Sequence, residues 1–274
     1  MNMAFGSFWI RDCFGLIELH QMDLYLNLST VKNPKIIHDL STSIEEGRTR
    51  AWYIPGMKRD PVRMDKWIGS VGMGGDVNFF NINFNPHAHG SHTETLGHVC
   101  QTWHPINGVS IPFLQTALLI TVNYKDYGEN GKIIELDQIE KAWNHWRPSN
   151  DLTALVVRSN PNSAEKKNMN FSSQDAPFFS EEVGYFLRKK GILHWLVDLP
   201  SVDREEDGGK LLSHRSFWGL SEGEKVPGHE ARLNATITEL IYINDDIEDG
   251  YWTLAMQVAS IANDAAPSRP TLIR

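Results

Sequence analysis

The hydrophobic positions of this chain fall mainly into short runs that predict β-strands. Most runs are rich in Ile, Val and Leu and are bounded by Gly, Pro, Asn or Asp, which is typical of strands. The predicted strands are Ile36–Leu40, Val77–Phe84, Ala117–Asn123, Thr153–Arg158, Ile192–Leu199, Ala235–Ile243 and Trp252–Val258. No internal repeat is visible, which argues against a solenoid or a propeller.

Two segments have the three- and four-residue periodicity of amphipathic helices. Ile133–Trp146 repeats apolar residues at these steps and stops before Pro148. Ser180–Lys190 begins with an N-cap candidate, continues with two glutamates and ends in two lysines, so its charges suit the helix dipole. Because strands outnumber helices, we expect a mixed α/β (α+β) fold in a single compact domain.

Composition and charge narrow the class of protein. A chain of 274 residues with 41% hydrophobic positions can bury a full core without disulfides. Its 34 acidic and 26 basic residues give a net charge of −8, which argues against nucleic acid and anionic membranes as partners. Two distant cysteines, the lack of a basic leader and the lack of a long apolar run fit a soluble, cytoplasmic protein.

Histidines are concentrated in one polar segment. Five of the 11 histidines lie close together, namely His87, His89, His92, His98 and His104. The centre of this segment reads NPHAHGSHTETLGH and contains one carboxylate, Glu94. Imidazole and carboxylate are the ligands that zinc- or manganese-class ions take in a protein without a thiolate pair. The cluster therefore predicts a metal site, although any single histidine of this kind is more often a surface residue.

The spacing within the cluster predicts which side chains share a face. On an extended chain, residues two apart point the same way, so His92, Glu94 and His98 would lie on one side. His87 and His89 are at odd positions along the chain, whereas these three residues are at even positions. The side chains of the two histidines should therefore point to the opposite side. Gly90 can adopt a positive φ and redirect the chain, so either of these two histidines could still reach the common site.

A second set of candidates lies near the carboxyl end. His214 stands in LLSHRSFWGL, and Glu239 stands in the apolar run TITELIYI. Alternation predicts that Ile237, Glu239 and Ile241 share a face, and a buried carboxylate there would need a cation or donors. A solvated Glu239 on an edge strand is the alternative. His229 is a weaker candidate for the same set.

NPHAHGSHTETLGH resembles the metal-binding pattern HxGTHxDxPxH of the cyclase family of metal-dependent hydrolases, which includes bacterial kynurenine formamidase. IIHDLSTSIEEG, ALVVRS, WLVDLPSVD, LLSHRSFW and TITELIYI resemble further segments of the family, in the family's order. The resemblance implies a swivelling β/β/α fold over residues 35–274, preceded by an N-terminal extension of residues 1–34. It also implies assembly as homodimers or homotetramers.

Position by position, the resemblance implies a set of site residues. The pattern's second His falls on His92, its Asp on Glu94 and its final His on His98, while the later His and Glu ligands match His214 and Glu239. The pattern's first His falls on Ala88, which cannot bind a metal, so His87 or His89 would have to replace it. The predicted metal ligands are His87, His92, Glu94, His214 and Glu239, around one or two divalent ions, Zn or Mn.

The family also implies a reaction, the hydrolysis of an amide-type C–N bond in an N-formyl or cyclic amide. We expect His98 to act as acid and base, because an unperturbed imidazole titrates near operating pH, and Glu239 to assist as the second catalytic residue. Trp103 and Trp218 follow the two histidine segments and could line an aromatic pocket or pack in the core. The alternatives are a degenerate member without turnover and a barrel-type amidohydrolase that uses His87 and His89.

Overall fold

A computed structural model describes residues 36–274, so the predicted extension over residues 1–34 lies outside the described part of the chain. The strands are β1 Ile37–Asp39, β2 Lys58–Pro61, β3 Arg63–Met64, β4 Trp67–Ile68, β5 Phe80–Asn83, β6 His92–Glu94, β7 Leu114–Asn123, β8 Lys125–Asp126, β9 Lys132–Ile134, β10 Ala154–Asn160, β11 Phe178–Phe179, β12 His194–Val197, β13 Thr236–Glu239, β14 Gly250–Ala255, β15 Ala265–Pro267 and β16 Thr271–Ile273. The helices are α1 Leu136–Trp146, α2 Glu181–Lys189 and α3 Leu212–Trp218.

A nine-stranded mixed sheet forms the centre, in the order β1-β16-β14-β7-β10-β12-β13-β6-β15. Its four middle strands, from β7 to β13, are parallel, and the strands outside them pair antiparallel. Both faces of the middle strands are buried: Leu118 and Ile120 of β7 pack on the helical side, whereas Ala117 and Leu119 pack on the other side. Strands buried on both faces read as continuous apolar runs, which is why the sequence reveals them.

The architecture confirms the predicted mixed α/β class and excludes one alternative. The sheet of the described residues has two outer strands, β1 and β15, so it does not close into a ring of eight parallel strands. A barrel-type amidohydrolase needs such a ring with a helix after each strand. The interpretation of His87 and His89 as the first ligand pair of such a barrel is therefore wrong.

The helices differ from the prediction at two points. α1 begins only at Leu136, because Ile133 and Ile134 pair with Phe178 and Phe179 as strands β9 and β11 of a small sheet. α3 escaped prediction because it is only seven residues long and buries its polar residues together with its apolar ones, so no amphipathic pattern marks it as a helix. Within residues 36–274, no helix is both long enough and apolar enough to cross a membrane.

Close contact between α2 and α3 fixes the position of α3. Gly184 of α2 faces α3, where a Cβ atom would lie 2.6 Å from the carbonyl oxygen of Ser213 and 2.9 Å from the amide nitrogen of Phe217. Both atoms belong to the backbone, which cannot move aside as a flexible side chain can. The absence of a side chain at Gly184 therefore determines how deeply α3 sits above the sheet.

Candidate metal centre

Strands β6 and β13 carry the first three side chains of the site. The two strands pair antiparallel, with Glu239 opposite His92 and Ile237 opposite Glu94. Alternation along these strands places His92, Glu94 and Glu239 on one face, with exposed fractions of 0%, 0% and 3%. β13 lies between β12 and β6, so Glu239 is a buried carboxylate inside the sheet rather than a solvated residue at its edge.

Helix α3 brings His214 to the same face. Its Nε2 atom lies 2.9 Å from Glu94 Oε1 and 3.5 Å from Glu239 Oε1. Its Nδ1 atom lies 2.6 Å from Asp203 Oδ2. The Asp203 carboxylate also accepts the backbone N–H groups of Ser213 and His214, at 2.8 Å and 3.0 Å. Asp203 therefore fixes both the first turn of α3 and the orientation of the His214 ring.

The turn before β6 decides between the two histidines that flank Ala88. The His89 Nδ1 atom accepts the backbone N–H of Asn85 at 2.9 Å, and its Nε2 atom lies 2.9 Å from a carbonyl oxygen. Both ring nitrogens of His89 are thus engaged away from the cluster. Gly90 has φ +83°, as the sequence predicts, and the His87 Nδ1 atom lies 2.9 Å from Glu94 Oε2. The structure brings His87 into the cluster and leaves His89 outside it.

His98 reaches the cluster from a short 3₁₀ turn, Leu96–His98, and not from an extended strand. The parity argument therefore does not explain its position. The His98 ring centroid lies 4.4 Å from that of His87, and its Nδ1 atom is 4.0 Å from Glu94 Oε2. The same Nδ1 atom is 3.4 Å from Oδ2 of Asp264, a residue directly before β15.

Sequence reasoning missed Asp203 and Asp264. Asp203 closes WLVDLPSVD, a segment already matched to the family, so a signal was present although no role was assigned to the residue. Asp264 stands between an asparagine and two alanines, and nothing in that spacing indicates a site. Its carboxylate reaches the cluster only because β15 pairs with β6.

Unpaired polar atoms test whether a metal ion fits these residues. His92 Nε2, both Glu94 carboxylate oxygens and His214 Nε2 are buried and have no hydrogen-bond partner among residues 36–274. The short distance between His214 Nε2 and Glu94 Oε1 therefore lacks the angle of a hydrogen bond. Buried polar groups are normally paired, and ligand atoms that face one another without bonding are suited to share a cation. The residues fit a metal ion.

Within the described part of the chain, three groups of ligand atoms lie within coordinating reach: His87, His98 and Asp264 form one of them, and the other two overlap at Glu94. His87, His92 and Glu94 form one group, and Glu94, His98 and His214 form another, with all ligand atoms of a group within 4.8 Å of one another. Glu94 belongs to both groups. The donors are imidazole nitrogens and carboxylate oxygens, which suit a divalent ion of the zinc or manganese class.

Comparison with known proteins identifies the family. The family model described as "Putative cyclase" matches residues 38–204. The chain belongs to this cyclase family. The matched region contains the turn with His87, strand β6, His98 and Asp203, and it ends before α3. No curated protein matches the sequence of this chain.

Solved structures similar to this cyclase-family chain confirm the predicted fold. A structure described as a novel cyclase has a TM-score of 0.62 at 12% identity, and the match covers 92% of each chain. A predicted metal-dependent hydrolase from Bacillus stearothermophilus has a TM-score of 0.56 at 15% identity, over 87% of this chain and 98% of that one. An isatin hydrolase bound to thioisatinate has a TM-score of 0.62 at 12% identity, over 94% and 98%.

Charges within the cyclase-family site shift several pKa values. Burial disfavours a charged His87, but the carboxylates of Asp264 and Glu94 outweigh burial and raise the pKa of this histidine to about 10. Burial likewise opposes ionisation of Glu94, yet the imidazoles of His98 and His214 hold its pKa well below the usual range. Burial also opposes protonation of His214, while Glu94 and Asp203 raise its pKa well above the usual value. The raised pKa values of His87 and His214 favour protonated rings beside these carboxylates.

A cleft leads from the surface to the cluster. It has a volume of about 380 Å³, and His87, His98, His214 and Glu239 line its inner end. Trp52 lies on its wall and donates its Nε1–H to the carbonyl oxygen of His87 at 2.9 Å. The cleft therefore gives a small molecule access to the buried ligands.

The two tryptophans singled out from the sequence lie elsewhere. Trp103 is 63% exposed and does not line the cleft. Trp218 is fully buried, and its ring lies 5.3 Å from that of His214, so it supports this histidine from behind. The position of Trp218 therefore fits packing in the core and not the lining of an aromatic pocket. His229 is exposed beside Glu230 and takes no part in the cluster.

Proposed function

We propose that this cyclase-family protein is a metal-dependent hydrolase that cleaves an amide-type C–N bond in an N-formyl or cyclic amide. One observation carries the proposal: within residues 36–274, buried imidazole and carboxylate atoms without hydrogen-bond partners converge beside a cleft that His214 and Glu239 line. The isatin hydrolase of the same fold makes small cyclic amides the first class to test. The proposed substrate is a small molecule, and the proposed assembly is a homodimer or homotetramer.

The proposed ligands come from these groups and from Glu239, whose Oε1 atom lies 3.5 Å from His214 Nε2. His87, His92 and Glu94 would hold one divalent ion, Zn or Mn, and Glu94, His214 and Glu239 would hold a second. A divalent ion bound there would lower the pKa of water toward ~7 and would polarise a carbonyl group. The Oε2 atom of Glu94 faces His87 and its Oε1 atom faces His214, and Asp203 keeps the Nε2 atom of His214 turned toward the cluster.

His98 is the proposed acid and base. Its side chain is 29% exposed and lines the cleft, whereas His92 and His214 are almost fully buried. A histidine at this boundary can accept a proton from the attacking water and return it to the leaving nitrogen. His98 also stands within coordinating reach of Glu94 and His214, so a ligand role is the competing assignment.

The second candidate function is a family member that binds a metal or ligand without turnover. Ala88 favours it, since the family pattern places a histidine there. The position of His87 beside Glu94 and His92 favours catalysis, because it restores an imidazole to the place that Ala88 leaves without one.

Metal analysis combined with a substrate screen tests both functions. The purified protein is analysed for bound metal, stripped with a chelator, reloaded with Zn²⁺ or Mn²⁺, and assayed on N-formyl aromatic amines and small cyclic amides. We expect Glu94→Gln to lose metal and turnover. We expect His98→Ala to keep the metal while kcat falls by about 10²–10⁴-fold.

Exposed residues provide the matched controls. Glu230→Gln and His229→Ala make the same chemical changes outside the cluster, and both should leave metal content and kcat unchanged. Near-full activity in both Glu94→Gln and His98→Ala would discard the mechanism. Loss of metal in His98→Ala would make His98 a ligand. A fully loaded wild type that hydrolyses no amide would favour the function without turnover.

A further inference from the structure

The imidazole of His87 lies between two carboxylates that belong to different parts of the chain. Its Nδ1 atom is 2.9 Å from Oε2 of Glu94 on β6, and its Nε2 atom is 2.9 Å from Oδ2 of Asp264 before β15. The Glu94 side chain is almost fully buried, and that of Asp264 is 19% exposed. The two ring nitrogens therefore face different environments, one inside the cluster and one at its rim.

The two contacts of His87 have equal lengths but different geometry. The contact between Nε2 and Asp264 is a hydrogen bond, whereas neither carboxylate oxygen of Glu94 has a hydrogen-bond partner in the described part of the chain. An ionised carboxylate only accepts hydrogen bonds, so Nε2 carries the proton that Asp264 accepts. The neutral ring then has its lone pair on Nδ1, which faces the space shared with Glu94 and with the unpaired Nε2 atom of His92.

The segment around Asp264 is held firmly enough to orient a ring. The backbone N–H of Thr95 donates to the carbonyl oxygen of Asp264 at 3.0 Å, and the backbone N–H of Ile106 donates to that of Asn263 at 2.8 Å. On the other side, the backbone N–H of His87 donates to the Asn85 side chain at 2.9 Å. Both partners of the His87–Asp264 hydrogen bond are thus fixed by their own backbones.

We propose that Asp264 is a positioning residue that makes His87 a metal ligand through Nδ1, and that this pair replaces the ligand absent at Ala88. The inference rests on the proposed function, because it assumes a divalent ion at the cluster. A carboxylate that accepts the outer N–H of a ligating histidine fixes its tautomer and orientation, and losing it typically weakens metal binding 10–100-fold.

A different role for Asp264 has to be separated from this one. The Nδ1 atom of His98 lies 3.4 Å from the same Oδ2 atom, so Asp264 could instead bind an ion directly with His98 and His87. If Asp264 acts through the His87 ring, then removing Asp264 weakens metal affinity only while that ring is present. If it binds the ion itself or acts through His98, its effect persists without His87.

A double-mutant cycle on metal affinity makes this distinction. Dissociation constants for Zn²⁺ are measured by chelator competition for the wild type, Asp264→Ala, His87→Ala and the double variant, and bound Co²⁺ is followed by its visible absorption. We expect Asp264→Ala to weaken binding 10–100-fold in the wild type and less than about 3-fold in the His87→Ala background. We expect Asp264→Asn, whose amide oxygen can still accept the Nε2–H bond, to lie between the wild type and Asp264→Ala.

Controls keep the outcomes interpretable. Asp246→Ala removes an exposed carboxylate and should leave the affinity unchanged. Urea unfolding of each metal-free variant checks the fold, and Asp264→Asn serves alone if Asp264→Ala does not fold. An unchanged affinity in Asp264→Ala, or the same loss with and without His87, would overturn the inference. A wild type without divalent-ion affinity would overturn both proposals, whereas an intact cycle without amide hydrolysis would overturn only the proposed function.

Discussion

At the scale of one residue, the burial of the Glu94 carboxylate explains why we expect this site to bind a cation. The Glu94 side chain is buried at the centre of four imidazoles, and no described residue forms a hydrogen bond with either of its oxygens. Removing an ionised carboxylate from water costs several kcal/mol unless charges or donors offset the cost. In the metal-free protein, protonated histidines can offset this cost. When a divalent ion is bound, the ion can offset the cost while the histidines are neutral. Proton and metal therefore compete for the same ring atoms.

This competition predicts how pH affects the metal-free protein. The pKa of His87 is about 10 in the folded state and about 6.5 in the unfolded state. The stabilisation from protonated His87 is therefore complete below pH 6.5 and is lost as the pH rises toward 10. We expect the free energy of unfolding of chelated protein to fall across this window by up to about 1.4 kcal/mol per pH unit.

Urea unfolding at several pH values between 6 and 10 measures this effect. His87→Gln should reduce the slope, because it removes the residue whose proton is lost, whereas His229→Gln should not change it. A pH-independent stability in chelated wild type would contradict the assignment. In the same window, affinity for Zn²⁺ should rise with pH, since binding must displace the protons.

Trp52 is the aromatic residue that the structure, rather than the sequence, places beside the substrate cleft. Trp52 and Tyr53 have φ angles of +64° and +59°, and such backbone conformations cost about 1–2 kcal/mol for each non-glycine residue. Two bonds hold this turn: the Trp52 indole donates to His87, and the backbone N–H of Tyr53 donates to the Ser172 hydroxyl. Strained backbone beside a cleft is a common feature of binding sites.

We expect Trp52→Phe to raise KM for an aromatic amide about tenfold, because it removes part of the stacking surface and a hydrogen bond. Affinity for Zn²⁺ should stay within about 3-fold of the wild type, since the His87 ring keeps its bond to Asp264. Steady-state kinetics and chelator competition measure the two quantities. Trp103→Phe is the matched control and should change neither. Equal KM values for both variants would remove Trp52 from substrate binding.

At the scale of the element, the end of β13 explains one wrong expectation. Alternation predicted that Ile237, Glu239 and Ile241 share a face. Leu240 has φ +54°, which ends the strand at Glu239 and reverses the pattern. Ile237 packs in the cluster on the helical side and Ile241 packs in the cluster on the opposite side. A leucine with positive φ has no sequence signature, so alternation could predict the orientation of Glu239 but not that of Ile241.

The contact between α2 and α3 leads to a prediction about Gly184. Alanine is favoured over glycine in a helix by about 1 kcal/mol, but here its Cβ would meet two backbone atoms of α3 at 2.6 Å and 2.9 Å. We expect Gly184→Ala to lower the free energy of unfolding by about 1–3 kcal/mol. Because α3 carries His214, affinity for Zn²⁺ should fall as well.

Gly108→Ala is the control for this effect, because a Cβ at Gly108 would meet nothing within 4 Å. Urea unfolding and chelator competition give both quantities for each variant. If Gly184→Ala is as stable as Gly108→Ala and binds Zn²⁺ equally well, then the contact at Gly184 does not position His214.

At the scale of the whole molecule, the sequence predicts the middle of the sheet better than its periphery. The strands containing Leu118 and Val156 are apolar on both faces and stand out as runs. β6 is only three residues long and polar, so its place between β13 and β15 depends on pairing with distant segments. The family pattern supplied His92 and Glu94, but only that pairing brings in Asp264. Local patterns thus predict most of the proposed ligands, whereas long-range pairing is needed to bring in a residue proposed to orient one of them.

This arrangement predicts that metal binding stabilises the whole fold. The cluster joins β6, β13, α3, the His87 turn and the segment before β15, so an ion that binds there binds only the folded chain. At a free ion concentration about 100 times the dissociation constant, linkage adds about 2.7 kcal/mol. For a domain of this size, that raises Tm by about 5–10 °C. Thermal unfolding with Zn²⁺ and with chelator measures the shift, which Glu230→Gln should retain and Glu94→Gln should lose. If Tm rises equally in Glu94→Gln, then the ion stabilises the protein from a site other than the cluster that joins these five elements.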